Sequence, residues 1–525
     1  MKRQIQLTRL DVGLSVLVGL VSLTLYARTL APSLLYGDSA EFQTIAYTLG
    51  IGHPTGYPVY IFLARLFTFL PVGDIAYRVN LLSAVAAAAT IALLYLILCR
   101  LGAWRIPAAL SVFTLAFVDL FWKHACIAEI YTVASACLAG ILYTILAWRG
   151  SGNPRWLFAA GLLGGLSLGI HTTVALSAIA ILLYLVLAAP QKAGWLQAAL
   201  GAVAGVFVFL LSFLVLDALD ASAGYYNTVV RHALSVWDLT PADFDSPFER
   251  LAFLYFPPQF SGQFFAVPLA QVQERLIEFF GNASWSIVIA LVGLASLLLP
   301  RQQPLSSASS LSSLSFPRWR EAILLLIAFT TFLLFAASYN VYDYYVFYLP
   351  AIAILVIAIG LGFNALQEAL LLIPRLPRFI PGIVVGALIL ANLGDAFPQL
   401  LESWKSRLPP FVEDHEIALF TFPETRRLEA QQLLEKLEDN AIIFTDWDTA
   451  YNFYYVAHVL QGRVGMDFHE TYPQEGASQL ADSTLAYIES NLDTRPIYFT
   501  ERPLGLTRLY KIQRTGSGLY RLERK

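Results

Sequence analysis

Residues 195–217, WLQAALGAVAGVFVFLLSFLVLD, form a long apolar run that contains no Lys or Arg and a single acid, at its end. A helix needs about 20 such residues to cross a bilayer, so this run predicts a membrane-spanning helix. Comparable runs recur over the first 400 residues and predict about eleven spans. These are 12–30, 80–99, 106–121, 130–148, 156–171, 173–189, 195–217, 284–300, 321–338, 346–363 and 379–395.

The composition also indicates a polytopic α-helical membrane protein. Of 525 residues, 57% are hydrophobic and 14% are charged, whereas an ordinary globular chain has about 25% charged residues. The net charge of −3 and the lack of a basic stripe argue against nucleic acid as a partner. Cys99, Cys126 and Cys137 are scattered through apolar runs, so they indicate neither a disulfide framework nor a zinc site.

Three segments leave alternatives open. The run 157–189 is too long for one span, and we split it at 169–172; a single long helix is the alternative. The run 58–71 is apolar but short and contains Arg65, which favours an interfacial helix. The first run resembles a signal peptide, but Pro32 would follow the cleavage site, which favours an uncleaved anchor.

Charge predicts the orientation in the membrane. The short loops on one side are almost purely basic, and the loops on the other side carry most of the acids. The positive-inside rule then places the N-terminus in the cytoplasm and the C-terminus outside, in the cell (inner) membrane. The predicted membrane module is 1–399, with long outer loops at 31–79 and 218–283 and a Ser-rich inner linker at 301–318.

From about residue 400 the composition becomes that of a soluble protein, which predicts an extracytoplasmic α/β domain at 400–525. Its predicted helices are 424–437, 450–460 and 478–491, and its predicted strands are 441–445, 464–468, 496–500, 509–513 and 519–522. The last two strands flank a Gly-containing turn and predict a hairpin. Asp446 and Asp448 follow the first strand, where they fit either helix capping or a ligand site.

The first outer loop has the densest group of ionisable residues. Asp38 and Glu41 are three residues apart, so on a helix they share a face, and His53 follows in a Gly- and Pro-rich stretch. Asp38 or Ser39 capping a helix is the structural interpretation. Ionisable groups at a membrane edge are costly and often functional, which favours a catalytic interpretation for this loop.

Other outer segments contribute further candidates. Lys123, His124 and Glu129 lie in one short loop, where the lysine could also be a snorkelling residue and the acid could favour a helix N-terminus. His171 lies at the turn between two spans, where a satisfied core histidine is the alternative. Arg231 could meet a phosphate or belong to a solvated face, and Asp343 lies in a tyrosine cluster typical of an aromatic belt.

One group of motifs resembles a known family. APSLLYGDSAEF (31–42), HPTGYP (53–58) and RVNLLS (78–83) closely resemble a family of polytopic membrane proteins long catalogued as a domain of unknown function. That family is now placed among the GT-C glycosyltransferases and includes transmembrane protein O-mannosyltransferases. Trp122 with EIY (129–131), and GLSLGIH (165–171), are similar to its later motifs. The resemblance covers roughly residues 12–190 and weakens towards 360.

The resemblance implies a GT-C-like fold and transfer of a sugar, with mannose as the guess, from a polyprenyl-phosphate-linked donor. The acceptor would be a hydroxyl, of protein Ser/Thr, and the reaction an inverting single displacement on the outer side. Asp38 is the expected base, with Glu41 second and Glu129 as a further catalytic candidate. Substrate binding is expected from His53, Tyr57, Arg78, Lys123, His124, His171, Arg231 and Asp343.

Two questions stay open at this level. Asp38 and Glu41 could hold a divalent cation such as Mg²⁺ or Mn²⁺, but their spacing is too common to assign a metal site. A membrane transporter or lipid flippase is the alternative function. It would place polar residues near the midplane of several helices and often shows inverted repeats, whereas here the acids cluster on one side and no repeat is evident.

Overall fold

A computed structural model describes residues 7–283, 285–299, 318–394, 396–410, 412, 414–474 and 477–525. Lys2 and Arg3, which contribute to the predicted orientation, and positions 301–317 of the predicted linker lie outside the described residues. The described chain is a multi-pass helical membrane protein, and a small mixed sheet follows the helices.

Among the described residues, seventeen α-helices precede the C-terminal region. They are α1 (Arg9–Arg28), α2 (Gly37–Thr48), α3 (Pro58–Thr68), α4 (Ile75–Arg100), α5 (Arg105–Ala116), α6 (Asp119–Cys126), α7 (Tyr131–Ser151), α8 (Arg155–Ser167), α9 (Ser177–Ala188), α10 (Lys192–Leu219), α11 (Pro247–Tyr255), α12 (Leu269–Ala283), α13 (Ser286–Ser296), α14 (Trp319–Ser338), α15 (Leu349–Leu371), α16 (Ile380–Asn392) and α17 (Ala396–Ser406).

Within the described ranges, six helices are long and apolar enough to cross a membrane, namely α1, α4, α7, α10, α14 and α15 with the turn before it. Three further pairs pass only when each pair is taken together, and each is bent: α5–α6 by 70°, α12–α13 by 87° and α16–α17 by 63°. The described chain thus offers six to nine spans, fewer than the eleven predicted. The runs 106–121, 284–300 and 379–395 fall in bent pairs, and the runs 156–171 and 173–189 form helices too short to qualify, the 13-residue α8 and the stretch Thr172–Ala188.

One break falls where the sequence predicts it. The run 157–189 is divided as expected: α8 ends at Ser167 and α9 begins at Ser177, with a 3₁₀ turn at Thr172–Leu176 between them. The run 58–71 forms only the 11-residue helix α3, too short to be a span, and its predicted interfacial position stays a prediction. The turn after α8 and the start of α3 both follow stretches rich in Gly or Pro. Gly increases the conformational freedom of the backbone, and Pro removes a backbone hydrogen bond, so both residues favour a helix end there.

Two helices of the membrane part approach each other through glycines. Gly161 and Gly165 on α8 face Gly201 and Gly205 on α10, and a Cβ on any of these four glycines would overlap backbone of the other helix. Small residues spaced by four allow this close packing in a membrane, where association depends on van der Waals contact rather than on the hydrophobic effect. This packing fixes the end of α8, after which the chain enters the outer turn at His171.

The C-terminal region contains α18 (Asp414–Thr421), α19 (Thr425–Leu434), β1 (Ile442–Thr445), α20 (Trp447–Tyr454), β2 (Asp467–Glu470), α21 (Asp482–Asn491), β3 (Ile497–Phe499), β4 (Tyr510–Arg514) and β5 (Tyr520–Arg524). The strand order is β2-β1-β3-β5-β4. β1 is parallel to β2 and β3, while β4 and β5 form the predicted antiparallel hairpin. Every predicted strand of this region is therefore confirmed within a few residues.

The sheet region lies directly on α2 and on the start of α4. The Thr44 hydroxyl on α2 donates to the Tyr451 carbonyl on α20 at 3.2 Å, and the Ala76 amide donates to the Tyr455 hydroxyl at 3.1 Å. α20 therefore packs against α2, the helix that carries the candidate acids.

We predict that Gly165→Leu lowers the melting temperature of the purified protein in detergent, because its side chain would enter the α8–α10 contact. Overpacking of this kind costs about 1–3 kcal/mol. Gly164→Leu is the matched control, since no atom lies within 4 Å of a Cβ at that position. Equal melting temperatures for the two variants would contradict this account of the helix pair.

Candidate active site

The centre of the site is the first turn of α2. This helix begins at Gly37, whose φ of +57° favours glycine, and its N-cap residue Tyr36 makes no side-chain capping bond. The interpretation of Asp38 or Ser39 as the cap is therefore wrong. As predicted, Asp38 and Glu41 lie close together, and both interact with the His53 ring.

The buried Glu41 and the half-buried His53 form a pair. The Glu41 carboxylate accepts from the His53 backbone amide at 2.8 Å, and its other oxygen lies 2.5 Å from His53 Nδ1. His53 Nε2 lies 3.0 Å from the Tyr57 hydroxyl, which itself donates to the Pro54 carbonyl at 2.8 Å. Because the Tyr57 hydroxyl donates to the Pro54 carbonyl, its oxygen can accept from His53 Nε2, which fits a ring that is protonated on both nitrogens. The geometry thus describes an imidazolium ion facing a carboxylate.

The charges around His53 agree with that protonation state. Burial by itself lowers the pKa of His53, but the neighbouring carboxylates of Glu41 and Asp38 outweigh burial and raise this pKa to about 10. His53 therefore carries a positive charge at neutral pH in the folded protein. It is the cation that the structure places beside both acids.

Asp38 and Glu41 differ in access. The Glu41 side chain is completely buried, whereas the Asp38 side chain is 49% exposed. Glu41 also accepts from the Tyr451 hydroxyl at 3.2 Å, so both of its oxygens are engaged. Asp38 accepts from the Trp447 indole through Oδ1, and its Oδ2 lies 3.8 Å from His53 Nε2. Of the two acids, only Asp38 has an oxygen that an incoming molecule could reach.

Two more acids from distant segments converge on this centre. Burial raises the pKa of Glu129 well above its ordinary value, and the charges of Asp38 and Asp343 raise it further. Burial likewise raises the pKa of Asp343, which accepts from the Tyr131 hydroxyl at 3.4 Å. The fold therefore brings together acids from three separate segments of the chain.

Two predicted histidines join the aromatic wall of the site. The His171 ring is parallel to the Tyr57 ring at a centroid distance of 6.3 Å, and His124 packs edge-on to Tyr131 at 4.9 Å. Burial lowers the pKa of His171 to about 3, and the charge of His53 acts in the same direction. His171 is therefore neutral and supplies shape rather than positive charge.

The predicted Lys and Arg candidates have other partners. Lys123 pairs with Glu416 at 3.2 Å, and Arg231 pairs with Asp220 at 2.7 Å on the surface. Arg78 donates to the backbone carbonyls of Thr68, Val72 and Gly73 and so closes the loop before α4. The structure does not bring Arg78 or Arg231 into contact with Asp38. Lys123 lies closer to the site, because its partner Glu416 also accepts from the hydroxyl of Tyr36, the residue before α2.

Asp38, Glu41 and His53 are also the one group in the described part of the chain that could offer three ligand atoms to a metal ion, all within 4.8 Å of one another. The 2.5 Å between Glu41 and His53 Nδ1 is a hydrogen-bond distance, shorter than the separation of about 3 Å between adjacent ligand atoms of an octahedral ion. An ion shared by all three residues would therefore require Glu41 and His53 to move apart, and the divalent cation stays a prediction.

Sequence reasoning missed two residues of the site, Trp447 and Tyr451. Both lie on α20, and both bind the acids of α2. The sequence does carry one signal, because Thr445-Asp446-Trp447-Asp448 follows a strand and opens a helix. Asp446 caps α20 as expected, accepting from the Thr449 amide at 2.9 Å, but its neighbour Trp447 makes the contact with α2.

We predict that Glu41→Ala destabilises the protein strongly, because three donors and the charge of His53 would lose their buried acceptor. Breaking a buried pair in this way costs about 3–5 kcal/mol. The matched control is Asp38→Ala, an exposed acid on the same helix, for which we expect a change of less than about 1 kcal/mol. Melting temperatures in detergent provide the measurement, and equal shifts would argue against Glu41 as the structural acid.

Comparison with known proteins shows a family likeness in the first third of the chain. Residues 38–194 match the family model described as the Protein O-mannosyl-transferase TMEM260 N-terminal domain. The protein O-mannosyl-transferase TMEM260 of Mus musculus is 38% identical over 109 residues, which are 21% of this chain and 16% of the mouse protein. The Dictyostelium discoideum protein of the same name is 25% identical over 128 residues, 23% of this chain and 16% of that protein.

Solved structures extend the likeness of the fold to the whole chain. ArnT from Cupriavidus metallidurans bound to undecaprenyl phosphate has a TM-score of 0.58 at 12% identity, covering 97% of this chain and 98% of ArnT. An oligosaccharyltransferase from Archaeoglobus fulgidus has a TM-score of 0.52 at 12% identity, and the match covers 93% of this chain and 69% of the oligosaccharyltransferase. The chain therefore has the GT-C fold, and the predicted resemblance to the family of transmembrane protein O-mannosyltransferases is confirmed over residues 38–194.

Proposed function

We propose that this protein is a glycosyltransferase that moves a sugar from a polyprenyl-phosphate carrier to an acceptor hydroxyl on the outer side of the membrane. Mannose is the proposed sugar, and a Ser or Thr hydroxyl of a protein is the proposed acceptor. The likeness to TMEM260 supports the acceptor and the sugar. The undecaprenyl phosphate bound to ArnT, a protein of the same fold, supports the carrier.

One observation carries the proposal: Asp38 presents a reachable carboxylate beside a half-buried, protonated His53. A general base must reach the proton that it removes, and the half-exposed Asp38 meets that requirement where Glu41 does not. The acids Glu129 and Asp343 lie near enough for the charge of this carboxylate to raise their pKa values. Asp38 is thus the proposed base, and Glu41 is assigned to holding His53.

The proposed step is a single displacement. The acceptor oxygen attacks the anomeric carbon and forms the new glycosidic bond, while Asp38 takes the hydroxyl proton. The bond between the anomeric carbon and the phosphate oxygen breaks, and polyprenyl phosphate leaves with the electron pair. Attack from the side opposite the leaving group inverts the anomeric configuration. No nucleotide is needed, because the carrier phosphate already activates the sugar.

The leaving phosphate gains negative charge, which a nearby cation stabilises. His53 is the proposed source of that charge, and Lys123, at the site edge, is a second source. Both ring protons of His53 are already engaged by Glu41 and Tyr57, so we expect His53 to act through its charge rather than through a direct bond. No step in this scheme is assigned to a metal ion.

We predict that Asp38→Asn lowers transfer at least a hundredfold while the protein stays folded. Asn keeps the size and one acceptor oxygen of Asp but cannot take up the acceptor proton, and such a base contributes roughly 10²–10⁴-fold. The measurement is release of polyprenyl phosphate from a lipid-linked mannose donor by purified protein in detergent with a Ser/Thr peptide. Full turnover in Asp38→Asn would remove Asp38 from the role of base.

The same preparation tests the alternative function. A transporter or flippase would move the lipid-linked sugar across sealed vesicles without releasing polyprenyl phosphate. Wild-type protein that moves the lipid and leaves its phosphate bond intact would overturn the proposed enzyme activity.

The proposal also requires the C-terminal region to lie outside the cell and the α7–α8 turn to lie inside. The three native cysteines are buried, so an introduced cysteine can be labelled against a low background. We expect a membrane-impermeant maleimide to label Gln513→Cys in intact cells and Asn153→Cys only after permeabilisation. Both positions are exposed, and the reverse pattern would place Asp38 on the wrong side.

A further inference from the structure

The bond between Trp447 and Asp38 joins the C-terminal region to the proposed base. The indole Nε1–H donates to Asp38 Oδ1 at 3.0 Å, although the two residues are 409 positions apart. The proposed reaction needs Asp38 but does not by itself require a second part of the chain to touch it. This contact therefore raises the question of what an indole does at a general base.

The start of α20 aims Trp447 at Asp38. β1 ends at Thr445, and Asp446 turns the chain into α20 by accepting from the backbone amide and the hydroxyl of Thr449 at 2.9 and 3.0 Å. A capped first turn is rigid, since the side chain satisfies an amide that would otherwise have no partner. Trp447, the next residue, is therefore carried on a fixed backbone.

Three aromatic rings from different segments hold the indole from its sides. Tyr451 packs edge-on at a centroid distance of 5.0 Å, and His53 and Tyr225 do so at 6.0 Å each. Tyr225 belongs to the second outer loop, and its backbone amide donates to the Ile51 carbonyl at 2.7 Å. In this orientation the indole packs against all three rings and donates to Asp38.

We propose that Trp447 is a positioning residue that holds one oxygen of Asp38 and leaves the other oxygen for the acceptor hydroxyl. Asp38 is half exposed, so without a donor its side chain could take several rotamers. With Oδ1 held by Trp447, Oδ2 stays 3.8 Å from His53 Nε2 on the reachable side. The C-terminal region then completes the catalytic centre. This inference rests on the proposed function.

The decisive variant is Trp447→Phe, which keeps an aromatic ring against Tyr451 and His53 but removes the N–H donor. We expect kcat for polyprenyl phosphate release to fall roughly 10- to 100-fold, the value of a hydrogen bond to a charged group. We expect the KM for the lipid-linked donor to change little, because Trp447 holds the base rather than the donor. Trp447→His, which restores an N–H donor at a similar reach, is expected to recover part of the lost kcat.

Trp237→Phe is the matched control. Trp237 is a partly buried outer tryptophan that packs on Phe253 at 5.5 Å, and no acceptor for its indole is found among the described residues. This variant should keep the wild-type kcat. A Trp447→Phe enzyme with normal kcat, or a loss that Trp447→His does not relieve at all, would overturn the positioning role.

A stability cycle tests the bond without relying on activity. If the indole and the carboxylate are bonded, the melting-temperature losses of Trp447→Phe and Asp38→Ala are not additive, and the double variant loses less than their sum. Additive losses would refute the bond even if transfer were absent. A wild-type protein that shows the coupling but no transfer would instead refute the proposed function and leave the contact standing.

Discussion

The structure of the outer site depends on the need to satisfy one buried charge. Glu41 has no exposed surface, and a carboxylate in such a place is tolerated only when donors surround it. Its donors come from His53 in the first outer loop and from Tyr451 in the C-terminal region. Meeting this requirement brings α2, the loop after it and α20 together, and it leaves a second carboxylate, Asp38, at the surface of the cluster.

In this arrangement Glu41 and Asp38 have different environments, although the sequence alone does not distinguish them. Glu41 faces inward, keeps His53 protonated and fixes its ring. Asp38, one helical turn away, shares the charge of His53 but remains reachable. A rigid charged pair beside an accessible base is suited to a reaction in which a proton is removed at one atom while negative charge develops at another.

Much of this fold is predictable from the amino-acid sequence, and the confirmed elements are those that depend on local sequence pattern. Apolar runs, the break near His171, the short helix α3 and the strands after residue 440 depend on local pattern, and each is found within a few residues. Of the predicted spans, 106–121 runs across the bend between α5 and α6, and 379–395 covers α16 but stops short of α17, because length and hydropathy do not show where a helix bends. Among the site residues, Arg78 and Arg231 look like anion ligands in sequence but are engaged by backbone carbonyls and by Asp220.

The sequence by itself determined the membrane class, the outer acid-rich loop and the pairing of Asp38 with Glu41, because composition, charge bias and helical spacing are local properties of the chain. Only the tertiary structure decided which acid is buried, which histidine carries a proton, and that Trp447 and Tyr451 belong to the site. Those outcomes depend on donors and acceptors about 400 residues apart in the chain, and burial and protonation are set by neighbours that only folding supplies.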